Sequence, residues 1–394
     1  MFTSSTTRDI WLLLLSYFFG VLPYMLLPPL TTIILAERGL EPALIGFYGA
    51  SNFVALMVSS LFASSLANAL GQRRAYLGAT VISLVVISSY LLTDSLVMWF
   101  MFSIITGLTG AIRWIVGESW VAALSPPESR GRFIGVFETM IGACTFAGPA
   151  ILLLTGTTTQ LPFAIAAVCA LIGLFLLLPI RAPKDAHDDE TTTVISPKRF
   201  SILRALPAVL LAAFVGGMFE AGTTTILPVF AVATGLGALF ATSVVTAIGV
   251  GSFALQYPFG HFADRFPLQK VLLLGMAIML AASLALPLAQ RGWLLWLLGF
   301  IFGGVGGGLY TLAMIQIGHQ FSGLRLVQAT SLLVFIYNLG SALGPGLGGV
   351  ALQLSPRFGL AALFSPVALL AVIYMVIAKD SRVETPTGEG VVIK

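Results

Sequence analysis

The sequence is poor in charge. Aspartate and glutamate number 16 and lysine and arginine 20, together 9% of 394 residues, against about 25% in a soluble globular domain. Histidine occurs three times and cysteine twice. His187, His261 and His319 fall in or beside expected loops, and Met218 and Met314 alone make no ligand cluster, so no metal site is expected. Cys144 and Cys169 lie inside apolar runs and read as small buried hydrophobes. The glycine-rich stretch at 303–308 has no preceding strand and no following lysine, which removes a phosphate-binding loop. No nucleophile, histidine and acid can be grouped at one depth, no cofactor fingerprint is present, and the polar segments are too short to form a domain. An enzyme is therefore not expected, and no cofactor.

Apolar residues are what the chain has in excess, 58% of it, with a mean hydropathy of +0.99. Runs of about 20 apolar residues, the length that crosses a bilayer's hydrocarbon core, begin near Ile10, Ala43, Ala75, Val97, Phe133, Leu161, Ala205, Ala238, Leu268, Trp293, Val327 and Gly359. The expected fold is an all-α membrane protein of twelve transmembrane helices, with the lipid bilayer as solvent. The first run continues to Leu35 with no early small-residue cleavage site, so it is expected to be retained.

The longest polar break, RAPKDAHDDETTTVISPKRF at 181–200, cannot bury enough apolar surface to fold alone and reads as a linker. It sets expected units at 1–180 and 204–379, a linker at 181–203 and a tail at 380–394. Sixteen of the 20 lysines and arginines lie at the termini and in the even-numbered loops, against Arg38, Arg291 and Arg357 in the odd ones. By the positive-inside rule both termini are expected in the cytoplasm. The net charge of +4 thus concerns topology and gives no support to nucleic acid binding.

The two units repeat one another. Gly107 and Gly110 match Gly303 and Gly306, Gly148-Pro149 matches Gly344-Pro345, and Ala67-Asn68 matches Ala263-Asp264. Each pair is 196 residues apart (303 less 107, 344 less 148, 264 less 68). Two six-helix repeats joined by a cytoplasmic loop resemble the major facilitator superfamily. Gly260-His-Phe-Ala-Asp264-Arg265-Phe-Pro267 is similar to that superfamily's G-x-x-x-D-R-x-G signature, with proline at the last glycine. The first-half copy keeps Gly71, Arg73 and Arg74 but has Asn68 where the acid belongs, which departs from the usual acid-based gate. Gly340-Ser-Ala-Leu-Gly344-Pro345-Gly-Leu-Gly348-Gly349 fully matches the motif associated with antiporters. Glu118-Ser119, Arg130-Gly131-Arg132 and Gly307-Gly308-Leu309-Tyr310 with Met314 resemble the YcaD-like branch of uncharacterised bacterial members.

Charges inside the apolar runs raise the functional question. In AIRWIVGESWVAAL, residues 111–124, Arg113 and Glu118 stand about 140° apart around an ideal helix, so each needs a partner elsewhere. An unpartnered ionised side chain near the bilayer centre costs about 3 kcal/mol or more. Glu118 and Glu138 are each about 9 Å from the cytoplasmic end, with Arg113 about a turn deeper. The two acids fit either an inner-gate network with Arg73, Arg74, Arg130 and Arg132 or a proton site. Arg113 fits either a forked contact to an anionic or zwitterionic solute or a counter-ion to Glu138. Glu220 lies near the middle of the seventh helix and is placed opposite Tyr24 by the 196-residue offset.

The resemblance implies a cavity lined by helices one, four, seven and ten, hence by Tyr24, Arg113, Glu118, Glu220, Tyr310 and Met314. Asn52, Gln256 and Asn338 are secondary candidates, each also explained by an interhelical hydrogen bond. The glycines at 303–308 and 340–349 are read first as helix contacts, and also as thin surfaces on which helices slide. Together these features lead to the expectation of a monomeric secondary transporter in a bacterial inner membrane. It exchanges a small organic solute for protons, with export preferred over uptake. A channel would use rings of repeated groups, whereas the polar residues differ between the halves.

Overall fold

The computed structural model describes residues 4–125, 130–180, 206–289, 292–321 and 323–377. Its helices are α1 (Ser4–Glu37), α2 (Pro42–Ser60), α3 (Ala63–Leu70), α4 (Gln72–Ser89), α5 (Leu96–Leu124), α6 (Arg130–Thr155) and α7 (Leu161–Leu177), followed by α8 (Pro207–Ala233), α9 (Gly237–Arg265), α10 (Leu268–Ala285), α11 (Trp293–Gln320), α12 (Gly323–Leu354) and α13 (Gly359–Ile377). Twelve match the expected spans, and the short α3 continues the second. Among the described residues nine helices are long and apolar enough to cross a membrane, and 139–155 and 161–177 are shorter apolar helices. The outer surface is itself apolar: Phe175 is 62% exposed and Val376 66%. Lipid is the solvent such a surface requires.

Between helices in lipid there is little hydrophobic force, and packing depends on how closely backbones approach. The glycines provide that approach, and they do so in register with the repeat. A Cβ on Gly107 of α5 would run into the carbonyl of Asn52 on α2; one on Gly303 of α11 would run into the carbonyl of Ile248 on α9. Gly148 of α6 lies against Leu26 of α1, and Gly344 of α12 against Gly222 of α8. Gly110 packs on Tyr24, and Gly306 on Glu220. In all three comparisons both partners are displaced by 196 positions, so the contacts repeat as well as the residues.

The two groups of helices, α1–α7 and α8–α13, meet along α1, α2 and α6 on one side and α8, α9 and α12 on the other. Gly46 faces the carbonyl of Pro345 and the Cα of Gly349, Gly49 faces Thr225, and Gly249 faces Thr145 and Phe146. Gln353 closes this end, accepting from the Ala43 amide at 3.2 Å and donating to Glu41 at 3.2 Å. Among the described residues these glycine and hydrogen-bond contacts between the groups all lie in the half of the bundle that carries the odd-numbered loops. α5 and α11 pack chiefly within their own groups.

Candidate functional site

Arg113 is 6% exposed, and α1 is shaped to receive it. Its Cζ stands 5.1 Å from the centre of the Tyr24 ring, so the cation rests on the ring's negative face. Gly20, about one turn earlier on α1, leaves the space that Nη2 of Arg113 occupies. Tyr17 and Tyr76 are its other polar neighbours. One turn along α5, Gly117 in turn packs on the Tyr17 ring. Among the described residues no carboxylate pairs with Arg113, and its Nε has no hydrogen-bond partner.

The Tyr24 hydroxyl also ties α1 to its neighbours. It lies 2.9 Å from Ser83 Oγ and 3.4 Å from Thr109 Oγ1, and donates to the Thr106 carbonyl at 3.3 Å. Asn52 extends the same seam, donating to the Ser103 carbonyl at 3.0 Å and to Thr106 Oγ1 at 3.1 Å. These bonds fasten α1, α2, α4 and α5 to one another. Each satisfies a polar group that would otherwise be costly in hydrocarbon.

A second set forms on α8, α11 and α12. Glu220 is part-buried on α8, and its Oε2 accepts a hydrogen bond of 2.9 Å from the Tyr337 hydroxyl of α12. The Tyr337 ring packs on Tyr310 of α11, with centroids 4.6 Å apart and planes at 53°. Gly306 allows α11 to approach, since a Cβ there would stand 3.3 Å from the Glu220 Cβ. Met314, about one turn beyond Tyr310, packs into the same apolar cluster, which includes Ile317 and Leu333. Among the described residues no basic side chain pairs with Glu220.

The expected residues therefore fall into two sets, Tyr24 with Arg113 and Glu220 with Tyr310 and Met314. Glu118 belongs to neither; it is exposed on α5. Asn338 is buried and bonds back to the Val334 carbonyl at 2.8 Å. Of the expected gate residues, Arg73, Arg74 and Arg265 are all exposed, and Arg73 donates to the carbonyls of Leu178 and Ile180 at 2.8 and 3.1 Å. The side chains of Asn68, Arg130, Glu138, Gln256 and Asp264 lie outside the described residues, as do 181–203 and 380–394. Gly340, Gly344 and Gly348 pack on α8, whereas Pro345 and Gly349 meet α2 of the other group. Tyr17, Tyr76 and Tyr337 were not singled out by the sequence. A lone tyrosine in an apolar helix ordinarily signals packing, and only the convergence of three helices gives these their place.

The chain is similar to known proteins over nearly its whole length. It is 24% identical over 334 residues to an uncharacterised MFS-type transporter, YfkF, of Bacillus subtilis (strain 168), covering 83% of this chain and 84% of the relative. It is 25% identical over 389 residues to another, YcaD, of Escherichia coli O17:K52:H18, covering 97% and 98%. The crystal structure of a mutant of the nucleoside transporter NupG superimposes with a TM-score of 0.73 at 12% identity, covering 94% of this chain and 99% of that one. The model of the Major Facilitator Superfamily matches residues 13–249 and 209–392. With helices at the twelve expected spans, contacts that repeat at one offset, and family matches covering both repeats, this chain belongs to the Major Facilitator Superfamily and is a multi-pass membrane transporter.

Proposed function

We propose that this transporter exports a small organic solute in exchange for protons, with Glu220 as the coupling carboxylate. The observation that carries this is the Glu220–Tyr337 hydrogen bond at the junction of α8, α11 and α12, with no basic side chain paired to the acid among the described residues. A carboxyl so placed can be neutral in one state of the cycle and charged in another. The export direction rests on the motif from Gly340 to Gly349. Uptake by symport is the alternative.

The lysine and arginine distribution supports cytoplasmic termini and a bacterial inner membrane. On that orientation the contact end at Gly46 and Gly349 is periplasmic. The units at 1–180 and 204–379 act as a monomer's two rocking bundles, joined by 181–203, with 380–394 as a tail.

Thermal-shift screening of purified protein against a metabolite and drug library identifies a solute for transport assays. In proteoliposomes, Glu220→Gln, which has the shape of the protonated acid, is expected to abolish accumulation driven by a pH gradient while sparing solute exchange. Full gradient-driven accumulation by that variant would move coupling to Glu118 or Glu138.

A further inference from the structure

We infer that the solute is an organic cation of single charge, held by Glu220 against the rings of Tyr310 and Tyr337, so that solute and proton compete for one carboxylate. The inference rests on Glu220 being the coupling acid proposed above. The Tyr337 hydroxyl engages Oε2 of Glu220 at 2.9 Å. Among the described residues Oε1 has no hydrogen-bond partner, and the residue is part-buried rather than sealed in. Two aromatic rings 4.6 Å apart stand beside it. A carboxylate with one oxygen unengaged, next to an aromatic pair, attracts a cation by charge, and a bulky alkyl- or aryl-ammonium also buries its apolar body against that pair. The neighbouring Met314 adds an adaptable apolar surface.

The surrounding charges favour a cation over an anion. α8 contains no lysine or arginine, nor does α11, and on α12 the only one is Arg325 near its start, more than three turns from Tyr337. Tyr337 from α12 and Tyr310 from α11 are the titratable groups near it on the facing helices; His319 lies more than two turns beyond Tyr310, at the end of α11. The membrane-depth tyrosines of α1 are engaged elsewhere, Tyr24 with Ser83 and Tyr17 with Phe137. No described charged group of α2, α9 or α13 pairs with Glu220. Arg113, the cation that would receive an anionic solute, is 6% exposed and lies over the Tyr24 ring. The exchange balances without any covalent step: the cation leaves the carboxylate as one proton arrives, and the reverse. For a singly charged solute, one proton in per cation out carries no net charge across the membrane.

The test uses tetraphenylphosphonium, a permanent cation, and tetraphenylborate, its anionic counterpart of nearly the same shape, in equilibrium binding to the purified full-length protein. Tetraphenylphosphonium is expected to bind, and its affinity to fall by about tenfold per pH unit once Glu220 takes up its proton. Glu220→Gln should lose at least about tenfold in affinity and the pH dependence with it, Glu220→Asp should retain both, and Tyr310→Leu should lose about fivefold. The Asp variant and the wild-type pH profile guard against a Gln variant that merely misfolds. Tighter binding of tetraphenylborate, lost in Arg113→Lys, would overturn the inference in favour of an anionic solute. Affinity for tetraphenylphosphonium that is absent, or independent of both pH and Glu220, would also overturn it. Neither result touches proton coupling, which fails only if Glu220→Gln still accumulates solute on a pH gradient.

Discussion

Gly46 and Gly349 stand back to back across the interface between the two groups of helices, the Gly349 Cα 2.9 Å from where a Gly46 Cβ would lie. No side chain fits between them, and the neighbouring carbonyls of Pro345 and Pro42 close the space from either side. This contact places the last glycine of the 340–349 motif on a surface between bundles, while Gly340 and Gly344 serve packing within one bundle. Gly46→Val should therefore disfavour the described state by about 1–3 kcal/mol. A cysteine replacing Thr225, which lies behind the seam at Gly49 and is 6% exposed, should react faster with an impermeant thiol reagent in the Gly46→Val background. Equal rates in the two backgrounds would show that this end opens without parting α2 from α12.

Orientation is tested with the same chemistry. The native Cys144 and Cys169 are buried and give a low background. Leu92, in the loop between α4 and α5, is 85% exposed. A cysteine there should be labelled in intact cells by a membrane-impermeant reagent, and one at Thr191 should be labelled only after permeabilisation. Pro42 is a poorer probe of the same side, because its carbonyl packs on Gly349. Labelling of Thr191 from outside overturns cytoplasmic termini.

Much of the architecture was legible in the sequence because lipid allows few solutions. Every backbone polar group must be satisfied within the span, which fixes a helix and its minimum length. The 196-residue offset was readable for a related reason, since a glycine needed for backbone contact in one repeat is needed again in the other. The break between α2 and α3 was not readable. No proline or glycine marks it; instead Ser59 donates to the Leu108 carbonyl and Ser60 to the Met57 carbonyl, the latter within its own helix. Nor could the sequence choose partners for Arg113. It required them on another helix, but Tyr17, Tyr24 and Tyr76 converge on it only through the crossing of α1, α4 and α5.

That arrangement predicts that Arg113 matters to stability beyond any role in binding. Tyr24→Phe keeps the ring beneath the cation and loses only the hydroxyl contacts, whereas Tyr24→Leu removes the face itself. The second should cost more, by about 1–2 kcal/mol, the value of a desolvated cation on a ring. Thermal unfolding in detergent checks the order. Indistinguishable midpoints for Tyr24→Phe and Tyr24→Leu would mean that the ring does not support the charge.

Arg73 and Arg74 are adjacent, were both expected at a gate, and differ in surroundings. Arg73 donates through Nη2 to the Leu178 carbonyl and through Nε to the Ile180 carbonyl. Carbonyls just past the end of α7 have no intrahelical partner and carry the negative end of the helix dipole, so a guanidinium there both completes hydrogen bonds and neutralises charge. It joins the start of α4 to the end of α7, two helices of one bundle, and nothing in that geometry needs to break when the bundles rock. Arg74 is exposed. Arg73→Ala should therefore lower stability by about 0.5–1 kcal/mol, the value of an exposed charged donor, while leaving the balance of inward- and outward-open states unchanged. Arg74→Ala should leave stability within about 0.5 kcal/mol of the parent. Thermal unfolding reads the first effect and cysteine accessibility at position 225 the second. If Arg73→Ala shifts accessibility without lowering the unfolding midpoint, the residue acts at the gate after all, and its bonds to α7 describe only one state of the cycle.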